Sequence, residues 1–456
     1  MAMLPFEYLD KACLAATNGP LGCSNAPTWE LLIDGQPPPD AVRQALQWLC
    51  VAYPTCAATV VPLDGTQDSA KHFAWSLPEL PPLDHMLEFH DLRAEPVDAI
   101  DRLREGVHDR FLDLFTRPPL QLILAWLPNN RARLFVKQHH GLADGRAMIE
   151  MLPDLALFLN HALAGTAPTP QQLAVIPRRA ELDAFELTPW QRFWLLLAGI
   201  GEYIRSAFVT VRRPLTVLKQ NVSLDYSGGN RTLHVPLSAA QLGAWKDAAK
   251  RAGGNLNWML AAAFMVANKR WNEAHGVKVT RMNATTAAET RPRGQPFRSF
   301  ANHLAFHIPD IDFTRFHGIA DVMPEIQRQV KAQNDRRAHL KRYLFERWFA
   351  LTLKMADFRK LLFSSPRTVV NLNFSNVLAI PIPRLQGPDW QVTDVRVSTP
   401  LIPRTAIVLT LTNYAGAATL NFNFKASVAT QAEVQELIGV FQAEVAQFVA
   451  AQGGGA

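Results

Sequence analysis

The first stretch with a readable period is residues 41–50, where Val42, Ala45, Leu46 and Leu49 recur at helical spacing and the pattern stops at Tyr53-Pro54. This predicts a helix that feeds a strand over Ala57-Ala58-Thr59-Val60-Val61. A second amphipathic segment, 97–114, ends at Arg117-Pro118-Pro119-Leu120, because proline lacks a backbone donor and restrains the residue before it. Two strand-like runs follow, 120–127 and 131–138. The turn residues Pro128-Asn129-Asn130 between them predict a hairpin. Beyond it Met148, Leu152, Leu155 and Leu159 share one helix face, with a kink expected at Pro153. Residues 139–145 therefore occupy a strand-to-helix junction.

From 164 to 190 the pattern dissolves among Pro168, Pro170, Pro177 and Pro189, which reads as a linker between lobes. Within 190–208, Trp190, Phe193, Trp194, Leu197, Ile204 and Phe208 gather on one side of a helix, with Arg192, Glu202 and Arg205 elsewhere. Packing of that face on the protein's own second lobe is the expectation, and an interfacial membrane helix is the alternative. The second half opens with a strand (231–237), a helix capped by Ser238 (239–252), a Gly253-Gly254 break and a longer helix (256–271). Strand-like runs at 277–282, 367–374, 405–412 and 418–424 precede a closing helix at 431–450. Strands and helices mix without strict alternation, so the fold class is α+β. A chain of 456 residues exceeds the size of a single core. The expected division is an N-terminal lobe (1–175), a linker with the amphipathic helix (176–225) and a C-terminal lobe (226–456).

Composition narrows the function classes. With 48% hydrophobic and 19% charged residues the chain is globular, and 46 basic residues interspersed with 40 acidic ones leave no nucleic-acid footprint. The densest basic run, Arg336-Arg337-Ala338-His339-Leu340-Lys341-Arg342, is followed by Tyr343, Phe345, Trp348 and Phe349. It reads as a solvated helix face with a buried opposite side, or as a docking patch for an anionic carrier or a phosphate-bearing substrate. Cys13, Cys23, Cys50 and Cys56 form no CxxC pair and have no histidine at metal-ligand spacing, so free thiols in a reducing compartment are expected. The first residues lack a signal-peptide pattern, and no apolar run approaches the roughly 20 residues that span a bilayer. A cytoplasmic protein, soluble or peripheral at the membrane, is expected.

The chemistry concentrates in His139-His140-Gly141-Leu142-Ala143-Asp144-Gly145. Adjacent side chains at a strand end point to opposite faces, so only one of the two histidines enters a given cleft. His140 shares the parity of Leu134 and Val136, and His139 that of Phe135 and Lys137. An imidazole can take a proton from a hydroxyl or amine near neutral pH, as attack on a thioester carbonyl requires. Gly141 and Gly145 permit tight backbone turns beside a substrate. Asp144 could instead simply cap the following helix. No metal site is expected, since His108 and His161 are not at HExxH-type spacing, and no GxSxG elbow points to a hydrolytic triad.

This segment resembles the HHxxxDG signature of the chloramphenicol-acetyltransferase-like superfamily, which includes nonribosomal peptide synthetase condensation domains, wax ester synthase/diacylglycerol acyltransferases and related CoA-dependent acyltransferases. The resemblance extends along the chain. Residues 40–57 are similar to the family's early helix closing on a proline, and Pro118-Pro119-Leu120 to its proline-leucine element. The helix at 256–271, the segment 297–309 with Asn302, and Ser375-Asn376-Val377 with Pro381 also have counterparts. Gly294 to Phe297 and Leu378-Ala379-Ile380 depart from the usual patterns, and the plant-type DFGWG element is absent.

The resemblance implies two similar lobes forming a V around a central tunnel. It implies that His140 is the general base, with His139 and Gly145 in support, and that Asp144 is structural, held by an arginine best matched by Arg291 in Glu289-Thr290-Arg291-Pro292. Ser375 and Asn376 are the oxyanion candidates, or merely a turn after a strand. The implied function is transfer of an acyl group from acyl-CoA or an acyl-carrier protein to a hydroxyl or amine. No cofactor is implied beyond the CoA or phosphopantetheine thioester, which is substrate. A free-standing condensation enzyme joining carrier-bound partners, and a catalytically silent carrier- or lipid-binding domain, are the alternatives.

Overall fold

Asn129 and Asn130 adopt φ of 61° and 54°, a left-handed conformation that asparagine tolerates, and so close the hairpin Leu120–Leu127 to Arg131–Gln138. The computed structural model describes residues 2–17, 25–178, 187–212, 229–291, 297–364, 372–376, 382–401 and 405–453. In it Arg131–Gln138 is the middle of a five-stranded sheet ordered Gln391–Ser398, Thr28–Asp34, Arg131–Gln138, Leu120–Leu127, Leu87–Asp91. Leu134 and Val136 face a core shared with the helices Pro39–Ala52 and Gly145–Leu163. Phe135 faces the other way, into a small cluster with Val107 and Ile123. On that same side Lys137, fully buried, donates to the carbonyls of Val107 (2.7 Å) and His108 (3.2 Å) at the end of the helix Ala99–Asp109. The helix Gly145–Leu163 continues through Pro153.

A seven-stranded sheet forms in the second half, ordered Leu304–His307, Arg281–Glu289, Leu372–Asn376, Ile407–Tyr414, Ala417–Lys425, Asn230–Leu237, with Asp310–Asp312 beside Arg281–Glu289. A type of tight turn that needs positive φ joins Ile407–Tyr414 to Ala417–Lys425, and Ala415 (52°) and Gly416 (88°) supply it. Ser238 and Gln241 form a capping box that starts the helix Ala239–Arg251, and Asn255 caps Leu256–Ala274 after Gly253 turns at φ 75°. Leu256–Ala274 is buried nearly all round. It tolerates Asn268 and Asn272 inside because each donates to the carbonyl one turn back, Phe264 (2.8 Å) and Asn268 (2.7 Å). A smaller sheet of Met3–Pro5, Phe73–Ser76 and Thr59–Pro62 lies at the chain's start.

The structure differs from the sequence reading in four places. Gln391–Ser398 joins the first half's sheet by pairing with Thr28–Asp34, and Ile382, Leu385 and Trp390 enter that core, so the two sheets do not separate at residue 226. A strand's local pattern gives its faces and not its partner, which here lies more than 350 positions away. The strand expected at 277–282 is Arg281–Glu289, because its small and polar residues, Asn283, Thr285 and Thr286, are buried without any apolar signal. The strand expected at 367–374 is Leu372–Asn376, residues 365–371 lying outside the described residues. Finally, the aromatic face of the helix Pro189–Arg212 turns outward, with Trp190 66% exposed. The packed side carries Gly199, Tyr203 and Leu195 instead, and meets the helix Ala338–Thr352.

Of the basic run, Lys341 takes part in this packing, Arg342 pairs within its own helix, and Arg336 and Arg337 are exposed. Lys341 pairs with Glu202 at 2.7 Å and Arg342 with Glu346 at 2.7 Å. Cys50 and Cys56 are free thiols, and Cys23 lies outside the described residues. Among the described residues no helix is long and apolar enough to cross a membrane, and no cluster of metal-ligating side chains forms.

Candidate active site

The strand Arg131–Gln138 ends one residue before the motif, and the next backbone bonds tie the motif down: His139 N donates to Pro119 O (2.7 Å), His140 N to Asn25 O (2.8 Å) and Leu142 N to His139 O (2.9 Å). Alternation persists across the junction. Gln138 and His140 line a cavity of about 350 Å³, and His139 between them does not. That volume is in the range of small-molecule sites.

His139 is fully buried and its tautomer is set by its partners. Gly141 N donates to Nδ1 (3.0 Å), so the proton sits on Nε2 and is given to Thr17 Oγ1 (2.6 Å), which in turn donates to Cys13 O (2.9 Å). Burial, together with the neighbouring His140 and Lys137, lowers its pKa to about 3, which keeps the ring neutral. His139 thus shapes the turn. A side chain at Gly141 would crowd it, since a Cβ there would lie 3.0 Å from Nδ1.

Asp144 caps the helix Gly145–Leu163 through Ala147 N (2.9 Å) and receives Arg291 in a two-pronged pair, Nη1 to Oδ2 and Nη2 to Oδ1, each 3.0 Å. His303 N adds a fourth bond at 2.7 Å. Burial alone would raise the carboxyl's pKa, yet the guanidinium and these donors hold it below the usual carboxylate range. Arg291 also reaches Glu289 (3.3 Å) and the carbonyls of Ser299 (3.4 Å) and Ala301 (3.3 Å). Every contact of this carboxylate is therefore structural, and none leaves it free to titrate with substrate.

Sequence reasoning missed Arg178, which sits in the stretch read as a linker. Its guanidinium donates to Leu142 O (2.6 Å), Gly141 O (3.2 Å) and Phe300 O (3.2 Å), pairs with the buried Asp10, and lies 5.4 Å from the centre of the Trp75 ring. The motif loop is clamped from outside by a residue that no local pattern marks. Asn302, flagged only as part of a segment, donates Nδ2 to the carbonyl of His140 at 2.8 Å.

The cavity lies between the two sheets. Pro27, Trp29, Gln138 and Val397 come from the first, and Thr286 to Glu289, Leu304, Phe306 and Asn373 to Ser375 from the second, with Gly145, Arg146 and Asn257 also lining it. The parallel register of Arg281–Glu289 with Leu372–Asn376 ends at Thr286 opposite Phe374, after which the former pairs with Leu304–His307. The strands part there, and Ser375 and the residues after Thr286 line the opening. His140 and Ser375 thus share one cavity, whereas the side chain of Asn376 lies outside the described residues. Nδ1 of His140 and the hydroxyl of Thr286 are buried without hydrogen-bond partners among the described residues.

No family model matches the chain. Phosphinothricin tripeptide synthetase PhsC of Streptomyces viridochromogenes is 30% identical over 280 residues, which cover 59% of this chain and 24% of that protein. Among solved structures, the first condensation domain of the calcium-dependent antibiotic synthetase superposes with a TM-score of 0.69 at 14% identity, covering 98% of this chain and 97% of that one. Trichothecene 15-O-acetyltransferase from Fusarium sporotrichioides superposes with a TM-score of 0.73 at 12% identity, covering 98% and 95%. The condensation domain of the polyketide synthase MokA gives 0.68 at 11%, covering 99% and 98%. By fold the chain stands with the two-lobed condensation domains and chloramphenicol-acetyltransferase-like acyltransferases.

Proposed function

We propose that the protein transfers an acyl group from a thioester to a hydroxyl or amine acceptor. The observation that carries this reading is His140 lining a cavity between the two sheets, opposite Ser375. His140 removes the acceptor's proton as its oxygen or nitrogen attacks the thioester carbonyl. The Ser375 hydroxyl donates to the oxyanion that forms. The C–S bond then breaks, and the imidazolium returns the proton to the departing thiolate. The protein contributes position, a base and an oxyanion donor, with no acyl-enzyme intermediate and no cofactor beyond the thioester itself.

The fold is shared by enzymes of both donor types, so the thioester is carried by CoA or by the phosphopantetheine arm of a carrier protein. The likeness to condensation domains supports the carrier. A panel of acyl-CoA and acyl-carrier donors, each offered alcohol and amine acceptors, tests the reading with the His140→Ala protein as control. Ester or amide product formed by the wild type alone supports it, and no product from any pair contradicts it. A purely carrier- or lipid-binding role finds no support in a cavity that His140 lines.

A further inference from the structure

The helix Pro189–Arg212 presents Trp190, Phe193, Trp194, Leu197, Ile204 and Phe208 to solvent, from 42% to 66% exposed. At about 100° per residue these six fall within an arc of about 100°, in a row about 27 Å long. Trp190 packs against Phe193 (5.8 Å between ring centres) and Trp194 (5.5 Å), so the exposed rings form one surface. On the adjoining helix Ala338–Thr352, Trp348 and Leu351 are exposed as well. Soluble proteins rarely show contiguous apolar patches of this kind without a partner.

The outward direction is built in. On the opposite side of the same helix Gly199 is buried, and a Cβ there would lie 2.5 Å from the carbonyl oxygen of Lys341. Tyr203 packs on Phe345 at 4.9 Å and Glu202 pairs with Lys341. The helix therefore docks by its smallest residue. Turning the aromatic row inward would drive indole rings into a contact that admits only hydrogen.

Charge indicates what the row meets. Within 189–212 the cations are Arg192, Arg205 and Arg212, and the one acid, Glu202, is neutralised by Lys341. Arg205 is exposed at the edge of the row, about 70° from its centre, whereas Arg192, also exposed, projects about 150° from it. A helix with Trp, Phe and Leu on one face, an exposed arginine at that face's edge and its one acid already paired has the make-up of an element lying in a bilayer interface, where indole rings settle at headgroup level and cations meet anionic lipid.

We infer that this face rests on an anionic lipid surface, holding the protein at a membrane by one helix. The inference stands apart from acyl transfer, since it concerns a different surface and is read without turnover.

The test is co-sedimentation of the full chain with phosphatidylcholine vesicles, with and without phosphatidylserine, alongside its tryptophan emission. Binding to the anionic vesicles, weakened by salt and accompanied by a blue shift, is expected. The Trp190→Ser/Trp194→Ser/Phe208→Ser protein should bind at least about tenfold more weakly while keeping its circular dichroism spectrum. Arg205→Gln, at an exposed position, should weaken the preference for phosphatidylserine, whereas Arg192→Gln, on the other side of the helix, should not. No wild-type binding, undiminished binding by the triple variant, or a patch-dependent dimer or carrier-protein complex in place of vesicle binding overturns the inference.

Discussion

Arg291 meets Asp144 through two parallel 3.0 Å bonds although 147 positions separate them, and neither side chain is more than 5% exposed. The pair fastens the segment after Arg281–Glu289 to the start of the motif helix, and so ties the second sheet to the loop that carries His140. Removing one member leaves the other buried and uncompensated. Asp144→Ala should therefore lower stability by about 3–5 kcal/mol in denaturant unfolding. A loss under about 1 kcal/mol would show the pair to be as dispensable as a surface bridge.

The pH dependence of that pair has a defined sign. Asp144's carboxyl is held below its ordinary value, so its contribution is fully present above the unfolded value near about 3.9 and is lost as pH falls through the folded value. The stability gap between wild type and Asp144→Asn should narrow below about pH 4. Curves that stay parallel into that acid range would contradict the assignment.

His139 titrates in the same sense for a different reason. Its folded pKa, about 3, lies beneath the unfolded imidazole's, so the folded state binds fewer protons between the two values. Stability from this site is complete above about pH 6.5 and falls as pH drops towards the folded value. Its ring protons should not shift between pH 5 and 8 in NMR spectra. Thr17→Val, which strands Nε2–H, should cost about 1–3 kcal/mol.

Arg178 acts through the loop that carries His140. Arg178→Lys keeps the charge but loses the fork that reaches Gly141 O, Leu142 O and Asp10 together. A small displacement of a base can cost up to about a hundredfold in rate, so kcat should fall at least about tenfold with KM little changed. Equal changes in both constants would indicate general loosening rather than misplacement of His140.

Ser375 is assigned to the oxyanion, and Thr286 and Thr399 also bring hydroxyls to the cavity wall, Thr286 on the strand paired with that of Ser375. Ser375→Ala should reduce kcat by about 10²-fold, the usual effect of losing one oxyanion donor, with KM nearly constant. If Thr286→Val carries that loss and Ser375→Ala does not, the donor lies on the neighbouring strand.

The motif's place between strand and helix was readable because the hairpin, its asparagine turn and the helix face at Met148, Leu152 and Leu155 are local patterns. The Asp144–Arg291 contact came from the family resemblance, since nothing in spacing alone links those positions. Arg178, Asp10 and Thr17 were illegible for the same reason: their partners are distant in sequence and their residue types are ordinary. Periodicity showed that Trp190, Phe193 and Trp194 share a face. Which way the face turns depended on Gly199 and its contact with Lys341, a tertiary fact. The strand Arg281–Glu289 hid because a cavity wall is built from small and polar residues, which carry no hydrophobic signal.

The proposed chemistry rests on His140 as the base. Single-turnover transfer from a thioester donor, measured across pH for wild type and His140→Ala, tests it directly. The variant should still bind donor, lose about 10²–10⁴-fold in the transfer step, and show a pH profile altered from that of the wild type. Transfer by His140→Ala at the wild-type rate with an unchanged pH profile would contradict it.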